Sequence, residues 1–223
     1  MTQLFQTKVC GITSVEDAQM CVAAGVDAIG LNFYDPSPRS ISDELALEIA
    51  ESVRGHIQLV GLFVNEAPER IRKLHDAVRF DYLQLHGDED PFYLKHLSPL
   101  PIIKAFRCRN TDPSEVLDYL AACTTFDITL QAILLDAFDP DNYGGTGHRL
   151  DWNNLNLEDS SFGGCRVILA GGITGENVHN AICRTKTQAV DTASGVECES
   201  GRPGQKDLTK VHQFVEQARL AFG

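Results

Sequence analysis

The feature that most constrains this chain is an alternation running from end to end. Eight short runs rich in Val, Ile and Leu are separated by stretches with helical, amphipathic periodicity. That order is the signature of parallel β/α units. The runs are Gln6–Ile12, Ala28–Phe33, Leu59–Val64, Tyr82–His86, Ile102–Arg107, Ala132–Ala137, Val167–Ala170 and Ala189–Ser194. Spread over 223 residues, they leave about 28 residues per unit, compact but sufficient for an α/β (β/α)8 TIM barrel with a parallel eight-stranded sheet. An open doubly wound sheet would carry fewer strands and a GxGxxG turn after the first, whereas this first strand ends in Cys10-Gly11-Ile12-Thr13. No linker, low-complexity segment or short-period repeat divides the chain, so residues 1–223 are expected to form a single barrel domain.

Helix starts can be read between the strands. Ser14-Val15-Glu16-Asp17 and Ser42-Asp43-Glu44 place a capping hydroxyl and acidic residues at the positive end of a helix dipole. Pro68 and Pro113 stand where a first-turn proline is tolerated. The sixth unit is the least regular, with weak periodicity from Trp152 to Ser161.

A net charge of -12 repels polyanions, and no basic block reverses it locally, so nucleic acid is not an expected partner. An anionic ligand would have to be held by backbone amides and one or two buried cations. The start, Met1 to Lys8, lacks a basic and apolar leader, and no run of about 18 apolar residues occurs, so neither a membrane nor secretion is expected. The seven cysteines show no CxxC pair and no zinc spacing, which fits reduced thiols in a cytoplasmic protein. Cys21, Cys123 and Cys183 lie in helical patterns and read as small buried hydrophobes.

Strand side chains alternate, so residues two apart share a face. Gln6, Lys8 and Cys10 oppose Val9; Asn32 opposes Leu31 and Phe33; Gln84 and His86 oppose Leu83 and Leu85; Asp136 opposes Ile133 and Leu135. The polar set is expected to face the barrel interior, with Lys104 and Asp191 joining it. Most of these residues lie late in their strands, at the end where barrel active sites are built. Buried ionisable groups are costly unless paired, so their convergence marks a candidate site.

Two glycine turns follow the seventh and eighth strands, Ala170-Gly171-Gly172-Ile173 and Ala193-Ser194-Gly195-Val196. Glycine lets the backbone approach a ligand, exposed amides near a helix start bind anions, and barrels often hold phosphate at these two loops. The acidic group Asp139 and Asp141 does not make a calcium loop, because Tyr143 and Leu150 occupy ligand places.

These residues resemble one family, phosphoribosylanthranilate isomerase. The resemblance is carried by Lys8-Val9-Cys10-Gly11-Ile12-Thr13, Ser37-Pro38-Arg39-Ser40, Val60-Gly61-Leu62-Phe63-Val64-Asn65, Gln84-Leu85-His86-Gly87, Leu135-Asp136, Gly144-Gly145-Thr146-Gly147, Ala170-Gly171-Gly172-Ile173 and Ser194-Gly195-Val196-Glu197. It implies a TIM-barrel isomerase of tryptophan biosynthesis that acts on a small phosphosugar without metal, nucleotide or redox cofactor. Cys10 matches the family's general base and Asp136 its general acid. Arg39 matches the residue that meets the substrate carboxylate, with Lys8, Gln84, His86 and Asp191 lining the site. Gly171, Gly172, Ser194 and Gly195 match the phosphate-binding turns. A base at Cys10 needs thiolate, and Lys8 on the same strand face is expected to lower its pKa by charge. A monomer or homodimer is expected. The chain departs from the family at Leu150-Asp151-Trp152, where Phe is usual at the first place, and in a longer stretch from Cys198 to Gly204. A different phosphosugar barrel enzyme, such as an indole-glycerol-phosphate synthase or a Schiff-base aldolase using Lys104, is the rival enzyme reading, and a non-catalytic phosphate-ligand binder is the rival outside catalysis.

Overall fold

The computed structural model describes residues 4–108, 112–137, 157 and 162–223. Eight parallel strands pair in sequence order and close into a barrel. They are β1 Thr7–Cys10, β2 Ala28–Asn32, β3 Gln58–Phe63, β4 Tyr82–Leu85, β5 Ile102–Cys108, β6 Ala132–Ala137, β7 Val167–Leu169 and β8 Ala189–Thr192. Closure comes from β8 pairing with β1, which sets Lys8 opposite Asp191. The strands sit where the apolar runs predict them, and several end one or two residues earlier than expected. Gly11, with φ at 70°, turns the chain away directly after β1.

Helices α1 Val15–Ala24, α2 Asp43–Val53, α3 Pro68–Val78, α4 Pro91–Lys95, α5 Ser114–Thr125, α6 Val178–Thr185 and α7 Leu208–Phe222 follow the strands. Their starts are the ones the caps announce. Ser14 Oγ accepts from the amide of Asp17 at 3.1 Å, and Ser42 Oγ from that of Leu45 at 3.2 Å. Pro68 opens α3, and Pro113 immediately precedes α5. The irregular stretch from Trp152 to Ser161, the acidic Asp139 and Asp141, the Gly144 to Gly147 turn and Leu150-Asp151-Trp152 lie outside the described residues, apart from the buried Leu157. No helix among the described residues is long and apolar enough to cross a membrane.

The core has two layers. Inside the barrel, Ala28, Val60, Tyr82, Ile103, Ala105, Ala132, Leu134, Ile168, Ala170 and Ala189 interdigitate, and Leu4 and Phe5 close the bottom. Outside, Val9, Ile29, Leu31, Phe63, Leu83, Leu85, Leu135, Leu169 and Val190 pack beneath the helices. Filling the lower interior with apolar side chains leaves only the upper end of the barrel for polar groups.

Lys104 corrects one expectation. On β5 the interior residues are Ile103 and Ala105, so Lys104 points outward with Ile102. Its ammonium lies between β4 and α5, held by the carbonyls of Gly87 at 2.8 Å and Ala105 at 3.0 Å and by Glu89 at 3.1 Å. Cys183 corrects another, since Cys21 and Cys123 are buried whereas Cys183 is exposed on α6.

Candidate active site

At the upper end of the barrel most of the predicted residues converge, whereas Gln6, expected to face inward with Lys8 and Cys10, is exposed ahead of β1. Lys8 and Cys10 project inward from β1, Gln84 from β4, Asp136 from β6 and Asp191 from β8, with His86 just past β4; all are buried. Lys8 Nζ donates to Asp191 Oδ1 at 3.0 Å, the contact that the β1–β8 register dictates. Gly30 makes this possible from β2. A side chain there would put its Cβ 2.7 Å from Cys10 Sγ and 3.1 Å from Lys8 Nζ.

Across the mouth, His86 Nε2 lies 3.5 Å from Asp136 Oδ2. The opposite ring nitrogen, Nδ1, is 3.0 Å from Gln84 Nε2, and Nε2 makes no hydrogen bond to a described residue. Asn32 organises the next loop, donating to Ser37 Oγ at 3.0 Å and accepting from the amide of Tyr34 at 2.9 Å. Ser37 Oγ in turn accepts from the amide of Arg39 at 3.2 Å.

The electrostatics differ from expectation at Cys10. Burial pushes its thiol up, Lys8 works against that, and Asp191 adds to the rise. The net direction is upward, because burial outweighs the opposing charges of Lys8 and Lys206. Burial also works to lower Lys8, yet Asp191 and Cys10 together hold it above the ordinary lysine range, so it stays an ammonium. Asp191 is nonetheless raised, by burial first and also by facing Asp136, which its one ion pair does not fully offset.

The two glycine turns come together beside this cluster. Gly171 and Gly172 adopt φ of 82° and 68°, a region glycine enters without strain. Thr192 Oγ1 donates to the Ile173 carbonyl at 2.6 Å, and Asn177 Nδ2 to that of Gly172 at 2.8 Å. A Cβ at Gly195 would fall 2.0 Å from the Ile173 carbonyl oxygen, so only glycine allows this approach. The amides of Gly171, Gly172, Ser194 and Gly195 donate to no described residue.

Glu197 and Lys206 join the candidate site through contacts that the sequence does not announce. Glu197 accepts from Arg39 Nε at 2.6 Å and Nη2 at 3.0 Å. Lys206, almost fully buried, donates to the Cys10 carbonyl at 2.8 Å, the Ala193 carbonyl at 3.2 Å and Glu197 Oε1 at 3.1 Å. Glu197 stands in the quoted Ser194-Gly195-Val196-Glu197 motif, which is a signal for its presence but not for its partners. Among the described residues no group of three or more His, Cys, Asp or Glu is arranged to hold a metal ion.

A closed eight-stranded α/β barrel with ionisable side chains gathered at the carboxyl ends of its strands is the architecture of the (β/α)8 enzymes. Comparison with known proteins gives the family. The model for N-(5'phosphoribosyl)anthranilate isomerase matches residues 7–217, and the chain belongs to that family of isomerases. It is 42% identical over 219 residues to the N-(5'-phosphoribosyl)anthranilate isomerase of Trichlorobacter lovleyi, covering 98% of this chain and 100% of that protein. The crystal structure of phosphoribosyl anthranilate isomerase from Thermotoga maritima superposes with a TM-score of 0.82 at 34% identity, covering 97% of this chain and 99% of that one. A phosphoribosyl anthranilate isomerase solved in complex with reduced 1-(o-carboxyphenylamino)-1-deoxyribulose 5-phosphate gives a TM-score of 0.78 at 33% identity with the same coverage.

Proposed function

We propose that this chain, acting as one catalytic unit over residues 1–223 in the cytoplasm, converts N-(5-phosphoribosyl)anthranilate to 1-(2-carboxyphenylamino)-1-deoxyribulose 5-phosphate. The reaction is an Amadori rearrangement in tryptophan biosynthesis. The observation that carries the reading is the continuous arc of buried ionisable groups across the mouth, from Cys10 through Lys8 and Asp191 to Asp136 and His86.

Asp136 acts as general acid and protonates the furanose ring oxygen. The C1–O bond breaks as the anilino nitrogen lone pair forms a Schiff base. Cys10 acts as general base and removes the C2 proton, and that electron pair moves through C1 to the nitrogen, giving an enolamine. Proton return to C1 and loss of the enol proton yield the ketose. His86 holds Asp136 in place, and the Lys8–Asp191 pair supports Cys10. The amides of Gly171, Gly172, Ser194 and Gly195, which donate to no described residue, suit the phosphate, and Arg39 suits the anthranilate carboxylate, because a guanidinium pairs with a planar anion through two parallel bonds.

The outward turn of Lys104, with its ammonium surrounded by acceptors, removes the feature on which a Schiff-base aldolase reading rests. The test is direct: freshly made phosphoribosylanthranilate is mixed with the protein and anthranilate-type fluorescence is followed, with and without a chelator. Enzyme-dependent loss in both arms is expected. No loss above the spontaneous rate would overturn the reading.

A further inference from the structure

Arg39 is held along its whole length. Its amide is fixed by Ser37 Oγ, and its stem lies over Gly11, where a Cβ would sit only 2.5 Å from Arg39 Cδ. Its head is held by Glu197 through Nε and Nη2, which leaves Nη1 with no hydrogen bond to a described residue. Glu197 is itself anchored by Lys206, whose ammonium is pinned to the Cys10 and Ala193 carbonyls. Two cations and one carboxylate leave this cluster with one net positive charge.

We propose that Glu197, seated on Lys206, is a positioning residue that presents the remaining edge of the Arg39 guanidinium to a ligand carboxylate. The inference rests on the functional reading above and adds the device that sets Arg39's direction. A guanidinium has more than one edge that can pair with a carboxylate. Glu197 fills one and so fixes the plane of the group, and a side chain ordered before binding loses little rotamer entropy when the ligand arrives. Because Lys206 also grips the carbonyl of Cys10, the same carboxylate ties the direction of Arg39 to the end of β1.

Two physical accounts of Glu197 predict opposite signs. If it merely competes for Arg39, removing its charge raises the local positive charge and frees the guanidinium, so a carboxylate ligand binds more tightly. If it positions Arg39, removing its charge weakens that ligand and spares one that lacks the carboxylate. The experiment measures equilibrium binding of two probes to the unmutated chain and to E197Q. One probe is reduced 1-(o-carboxyphenylamino)-1-deoxyribulose 5-phosphate and the other is the same compound without the ring carboxylate.

The expected result is a loss of about tenfold for the first probe, the scale of one charge-assisted hydrogen bond, and an unchanged Kd for the second. Tighter binding of the carboxylate probe by E197Q, or equal loss for both probes, would overturn the inference and leave the functional reading standing. Failure of the unmutated chain to bind either probe would overturn the functional reading and this inference with it. A measurement without any change at Glu197 guards against misfolding of E197Q: the Arg39 Nε–H resonance, assigned by its absence in R39K, is followed in the unmutated chain as the first probe is added. A slowly exchanging resonance that persists is expected. Its loss or its change to fast exchange on binding would mean that the ligand displaces Glu197, contrary to the inference.

Discussion

A single methyl group added at Gly30 tests whether the mouth of the barrel depends on the placement of Cys10. The Cβ of an alanine there would stand 2.7 Å from Cys10 Sγ, 3.1 Å from Cys10 Cα and 3.1 Å from Lys8 Nζ. Carbon needs about 3.5–4.0 Å, so the sulfur must retreat by about 1 Å, and the backbone of β1 leaves little room to share the strain. Overpacking of this kind costs about 1–3 kcal/mol, which in a chain of this size lowers Tm by about 2–12 °C. A displacement of about 1 Å at a reacting group costs about a hundredfold in rate. The control is Gly61→Ala on β3, where the new Cβ would meet the rings of Phe63 and Phe80 at 2.9 Å on the outer face. Thermal unfolding and steady-state turnover are measured for both. Both variants should lose stability, and only Gly30→Ala should lose about two orders of magnitude in kcat. If Gly30→Ala folds and keeps kcat within the range of the Gly61→Ala control, the geometric reasoning about Cys10 is refuted.

Asp136→Asn should lower kcat by about 10²–10⁴ while ligand affinity changes by less than about tenfold, since a positioned acid contributes to rate more than to ground-state binding; turnover near the unmutated level would remove Asp136 from the mechanism. Because burial raises the Cys10 thiol, thiolate is scarce in the free enzyme at neutral pH, so kcat/KM should climb with pH on the alkaline side by up to about tenfold per unit. That limb should vanish in Cys10→Ser together with most activity, and a flat profile above neutrality would speak against a thiolate base. Lys104→Met leaves the Glu89 carboxylate buried without its cation, which should cost about 3–5 kcal/mol in urea unfolding. The folded fraction should turn over at the unmutated rate, whereas loss of kcat without loss of stability would return Lys104 to the site.

How far the sequence reaches is best seen at β5. The alternation rule places Cys10, Gln84, Asp136 and Asp191 correctly because each directly follows an apolar residue, Val9, Leu83, Leu135 or Val190, that settles on the outer layer. Lys104 has Ile103 and Ala105 beside it, and these are the interior residues. A parallel strand buried on both faces is apolar on both faces, so hydrophobicity alone does not tell inside from outside, and polarity then assigns Lys104 to the wrong one. The deciding fact is tertiary: Glu89 and the carbonyls of Leu85, Gly87 and Ala105 form an outward socket for the ammonium, and nothing in the run Ile102 to Arg107 announces it.

The same distinction explains the thiol. Reading along β1, Lys8 is the only charge near Cys10, so a lowered pKa follows. Reading around the barrel, the sulfur is buried and Asp191 stands opposite Lys8 in the register, so desolvation, aided by Asp191, outweighs the Lys8 charge. The second cation near Cys10 comes from still farther away, as Lys206 reaches the Cys10 carbonyl across 196 positions of sequence. Its charge opposes the rise at the thiol, while Glu197 holds it in place. The Cys10 thiol is therefore set by its burial first, with Lys8 and Lys206 opposing the rise and Asp191 adding to it. Lys8 meets Asp191 through the β1–β8 register and Lys206 meets the Cys10 carbonyl from beyond β8, so both contacts form only once the barrel is shut.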